Sequence, residues 1–96
     1  MSNSTSYRWM RRCLKWLYDD VSDNDARQML TNPDLRAARY AEATPVLQDA
    51  GMPVGMLETS EGQSLGVAIL ALRLRFPRQD GLDRVDLNIA MREGRA

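Results

Sequence analysis

Two runs in the last third of the chain constrain its fold more than any other feature. Leu70, Leu72, Leu74 and Phe76 alternate with Ala71, Arg73 and Arg75, and Val85, Leu87, Ile89 and Met91 alternate with Asp86, Asn88 and Ala90. Alternation with period two marks strands that bury one face. Asp80-Gly81 lies between the runs, and Asp-Gly is a strong hairpin signal. A two-residue turn there pairs Phe76 with Val85, Leu74 with Leu87, Leu72 with Ile89 and Leu70 with Met91. Arg75 then meets Asp86 on the other face, an attractive cross-strand pair. Pro77 falls inside that ladder and has no N–H to give, so the loop widens to about 77–83 with the same parity.

Upstream, Val54–Thr59 reads as a first strand, Glu61-Gly62 as a turn and Gly66–Phe76 as the middle strand. Arg84–Arg92 is the third and lies at an edge, where another strand could add. A rival reading makes 60–76 a helix. Ser60 to Gln63 fits a capping box, and Leu65, Ile69, Leu72 and Phe76 fit helical spacing. Gly62 and Gly66 would each cost such a helix about 1 kcal/mol, and the mirrored alternation favours strands.

The first half is helical. Residues 1–6 are small and polar, a tail that ends in a cap. Residues 7–21 form an amphipathic helix. Arg8, Arg11, Arg12, Lys15 and Asp19 share one arc, and Trp9, Met10, Cys13, Leu14, Trp16, Leu17 and Val21 fill most of the rest. Ser22-Asp23-Asn24-Asp25 caps a short helix to Thr31. Asn32-Pro33 starts the next, because Asn is a good cap and Pro suits the first helical position. Thr44-Pro45 repeats the signal, so we read helices at 33–43 and 45–50, or one kinked helix, stopped by Gly51. Ala37, Ala38, Tyr40 and Ala41 share the face expected to point inward.

The expected fold is therefore α+β in one domain: three or four N-terminal helices (7–51) packed on a C-terminal three-stranded antiparallel meander (52–92). The Trp9, Trp16 and Leu17 side of the first helix should meet Leu72, Leu74, Leu87 and Ile89. At 96 residues the chain has the length of one small domain.

Composition narrows function. Thirteen basic and thirteen acidic residues cancel, so there is no global basic field to attract nucleic acid. Histidine is absent and there is one cysteine, Cys13. A zinc site is not expected, nor any Cys–His pair, and Cys13 on the apolar arc reads as a small buried hydrophobe. No glycine-rich phosphate loop is present, and we expect no cofactor and no enzyme. The lack of a signal peptide, of several cysteines and of a long apolar run points to a cytoplasmic chain with no membrane partner.

Two candidate surfaces remain. In the meander Val54, Met56, Val67 and Ile69 pair across a turn and point away from the Leu70–Phe76 face. Unless the helices wrap both sides of the sheet, that patch would serve a protein partner or a homodimer. The expected function is thus a small non-enzymatic protein-binding module, an inhibitor or adaptor of the kind a bacterium or phage carries. The alternative is a small nucleic-acid-binding regulator that lays Arg8, Arg11, Arg12 and Lys15 along a phosphate backbone. The acidic residues Asp19, Asp20, Asp23 and Asp25 that follow would repel a long duplex.

Overall fold

The structure is a computed structural model that describes residues 2–77. Among the described residues there are four α-helices, one 3-10 turn and no strand. α1 is Ser2–Asp20, α2 is Asp23–Thr31, α3 is Pro33–Asp49 and α4 is Ser60–Arg75, with the 3-10 turn at Met56–Glu58 before α4. The expected α+β fold is overturned: Val54–Thr59 is loop and 3-10 turn, and Gly66–Phe76 belongs to α4 apart from Phe76, its C-cap. The third strand, Arg84–Arg92, and the Asp80-Gly81 hairpin lie outside the described residues.

The helix boundaries follow from local chemistry. The Asp25 N–H donates to Ser22 Oγ at 3.1 Å, satisfying one of the orphan donors at the start of α2. Asn32 Oδ1 accepts from the N–H groups of Asp34 and Leu35, both at 3.1 Å, and Pro33 occupies the first turn of α3. α3 then runs unbroken through Pro45, although the ring removes the donor for the Ala41 carbonyl. Gly51 stops it with φ 105°, a left-handed geometry that glycine adopts without steric cost. α4 is capped by Thr59, whose Oγ1 accepts from the Gly62 N–H at 2.9 Å.

Why 60–75 is a helix is visible in its burial. Leu65, Gly66, Ala68, Ile69, Leu70, Leu72 and Arg73 are all buried, so α4 is enclosed on most of its circumference. It packs against α1, α2 and the 3-10 turn. A helix buried over so wide an arc needs apolar residues at most positions, and Leu70-x-Leu72-x-Leu74 is then part of a continuous apolar segment. The two glycines that weigh against the helix in isolation are required by its neighbours. A Cβ on Gly62 would lie 1.7 Å from the Met56 carbonyl oxygen, and one on Gly66 would lie 3.0 Å from the Tyr40 ring. Close approach outweighs a propensity cost of about 1 kcal/mol per glycine.

The core joins Trp9, Leu17, Met29, Leu47, Ile69 and Leu70, all with fully buried side chains. Trp16 and Tyr40 meet with ring centroids 5.8 Å apart. α1 packs against α4, a helix where a sheet face was expected; Leu72 is in the core and Leu74 packs against it, while Leu87 and Ile89 lie outside the described residues.

Two arginines close helix ends. Arg73 is 3% exposed; its Nε donates to Leu17 O and its Nη2 to Val21 O, both at 3.0 Å. Its Nη1 pairs with Asp23 Oδ1 at 2.7 Å, and the guanidinium sits 4.8 Å from the Tyr18 ring centroid. The Tyr18 hydroxyl donates to the Phe76 carbonyl. Arg36 Nη1 donates to Met29 O at 3.0 Å and to Leu30 O at 3.3 Å, at the end of α2. Cations suit the negative ends of helices.

Candidate functional site

The first predicted surface does not form. Val54 is 89% exposed in the loop before the 3-10 turn and Met56 is half-buried within that turn, whereas Ile69 is fully buried core. Val67 is half-buried on α4, lining a shallow hollow with Ala71 and Arg36. Val54, Met56, Val67 and Ile69 were expected on one face of a sheet. With a helix at 60–75, Val67 and Ile69 point about 200° apart around its axis, so the four make no common patch.

The four residues of the second expected surface come together. Arg8, Arg11, Arg12 and Lys15 lie along one side of α1 and face Val46, Asp49 and Ala50 at the end of α3, across an open cleft of about 500 Å³. Lys15 Nζ pairs with Asp19 Oδ2 at 2.7 Å. Arg12 is half-buried and its Nη1 is sealed from solvent with no hydrogen-bond partner among the described residues.

A third concavity escaped the sequence reading. It is a groove of about 350 Å³ between α3 and α4, closed at one end by the 3-10 turn. α3 contributes a face repeating at helical spacing: Pro33, Ala37, Tyr40, Ala41 and Thr44. α4 contributes Gly62, Gln63 and Gly66, and the turn contributes Leu57 and Glu58. Ala37 and Ala41 are exposed, which corrects the expectation that the Ala37, Ala38, Ala41 face is inward. Tyr40 alone of that set is buried, because its ring spans the gap to Gly66.

The groove base is apolar in effect. The Tyr40 hydroxyl donates to Gly66 O at 2.6 Å, and Thr44 Oγ1 donates to Tyr40 O at 3.0 Å. Their donors are spent internally, so the base presents methyls, ring edge and glycine backbone. The rim is polar, with Arg36 on one wall and Glu58 and Gln63 on the other. α3 is held in place from behind by Arg39, whose Nη2 pairs with Asp25 Oδ2 on α2 at 2.7 Å. The signal for this groove was present as glycines four apart on α4 and alanines four apart on α3. It is legible only once 60–75 is a helix.

Cys13 is buried beside Tyr40, as its place on the apolar arc implied. Burial pushes its thiol up from 9.0 to about 12, against smaller opposing effects of the Tyr40 hydrogen bond and the Arg12 charge. It carries no thiolate near neutral pH. Burial likewise raises the Tyr40 phenol well above 10.0. Among the described residues no group of three or more Cys, Asp or Glu side chains is placed to hold a metal ion. No described helix is long and apolar enough to cross a membrane. Set against protein-family models, curated proteins and solved structures, the chain matches none.

Proposed function

We propose that the chain is a small non-enzymatic protein-binding module that takes apolar side chains of a partner into the groove between α3 and α4. The observation that carries this reading is the groove's construction. A satisfied, apolar base is framed by a charged and amide rim on two helices bridged by Tyr40, the anatomy of surfaces that recognise a peptide or a helix face. The exposed small residues Ala37 and Ala41 let a partner backbone approach closely. Arg36 and Glu58 on opposite walls set the polarity of the segment that fits: an acidic group towards α3 and a basic group towards the turn.

Site-specific photo-crosslinking tests this. A benzophenone amino acid replaces Ala41 in the groove or, as a control, the exposed Arg27 on α2. The expected result is a discrete adduct from position 41 that is absent from position 27, and that is lost when Ala37→Arg is added to block the groove. Equal adducts from both positions, or none from position 41, would exclude the groove as the binding surface. An adduct of twice the chain mass would identify the partner as a second copy.

A further inference from the structure

We propose that the cleft between α1 and the end of α3 is an anion site for a compact ligand bearing two or three phosphate groups. This site is separate from the α3–α4 groove. Arg8, Arg11, Arg12 and Lys15 place four cations within two turns of one helix face. Their i, i+3 and i, i+4 spacings set like charges side by side, which destabilises a helix on its own. Lys15 is matched by Asp19. Arg8 and Arg12, by contrast, have no carboxylate within 4.0 Å among the described residues. Arg12 is half-buried, so its guanidinium is only partly hydrated and gains from a counter-ion. An entering phosphate supplies that charge from the cleft, which Arg12 lines.

Size and surroundings specify the ligand further. A volume of about 500 Å³ lies within the range of small-molecule sites. Arginine forks match phosphate oxygens two at a time. Asp49 on the α3 wall is the carboxylate that lines the cleft, and Asp19 and Asp20 follow the stripe at the end of α1. A long polyanion laid along the stripe would run onto them, so the geometry favours a short one.

Calorimetric titration of the whole chain with tripolyphosphate at low salt tests the site. The wild type should bind, and Arg8→Gln combined with Arg12→Gln should weaken binding at least about tenfold. Arg27→Gln, which removes a cation from α2 outside the cleft, should change affinity less than about twofold. If the double variant melts early, the exposed Arg8→Gln alone serves, with a loss of at least about threefold. No binding by wild type, or equal losses from Arg27→Gln and the cleft variants, would overturn the site in favour of general charge attraction. Tighter binding of single-stranded oligonucleotides that grows with their length would overturn the compact ligand and mark an extended nucleic-acid surface.

Discussion

Arg73→Met should destabilise the protein by about 3–5 kcal/mol, the range for breaking a buried charged network at one partner. Methionine retains most of the volume of the arginine stem, so packing changes little. What is lost is the fork that satisfies Leu17 O and Val21 O at 3.0 Å each. Hydrogen bonds from a charged donor contribute about 1.5–3 kcal/mol apiece, and a carbonyl left buried without a donor costs about 1–3 kcal/mol. A buried arginine replaced by an apolar side chain is sometimes neutral, because both partners of the pair can go. Here the acceptors are backbone carbonyls and stay. A chain of this length has a total stability of about 5–14 kcal/mol, so the variant should melt about 12–30 °C lower. Urea unfolding followed by circular dichroism reads it as a lower midpoint with an unchanged slope. Asp23→Asn removes the charge of the half-exposed partner but keeps an amide oxygen for Nη1 and both carbonyl bonds, so it should cost less than Arg73→Met. A loss below about 1 kcal/mol for Arg73→Met would refute the claim that this side chain closes α1.

Gly62→Ala should cost at least about 2 kcal/mol by overpacking, despite alanine's better helix propensity, because its methyl meets the Met56 carbonyl. Gly66→Ala should cost less, since the Tyr40 ring it meets can shift; thermal melts of the two variants check the order. Cys13 should react with a thiol reagent slowly in the folded chain and rapidly in urea. Its folded pKa, about 12, exceeds the unfolded value of 9.0. The stability it contributes is therefore complete below pH 9 and is lost as pH rises from 9 towards 12. Tyr18 and Tyr40, whose phenols are also raised, steepen the same alkaline loss. Stability from urea titrations at pH 7, 9 and 10.5 should fall only in the last interval, and Cys13→Ala should flatten that fall.

Much of the helical half was legible because its signals are local. Ser22, Asn32-Pro33 and Gly51 act within four residues of themselves, and the wide apolar arc of α1 predicted the burial of Trp9, Cys13 and Leu17. The sheet reading failed where the deciding forces are tertiary. From Leu65 to Leu72 nearly every residue is apolar or small, so period two and period 3.6 fit about equally well. The alternation mirrored at Val85–Met91 decided for strands, and the glycines, judged by propensity alone, weighed the same way, whereas their function is to let α4 approach Met56 and Tyr40. Arg73 was read as a solvent-facing strand residue; nothing in its neighbours along the chain announces two carbonyls more than fifty residues away. The same error hid the groove, which needs residues 60–75 as a helix with Tyr40 of α3 reaching Gly66. The basic stripe survived because its spacing lies within one correctly read helix, and only its opposing wall on α3 came from the fold.

Carbon chemical shifts across residues 60–75, measured by nuclear magnetic resonance, test the central claim most directly, because the groove and the Arg73 closure both depend on α4. An unbroken run of helical deviations is expected from Ser60 to Arg75, beginning just after Thr59. Strand-like deviations over Gly66–Phe76 would contradict it, and would dissolve the α3–α4 groove along with the proposed function built on it.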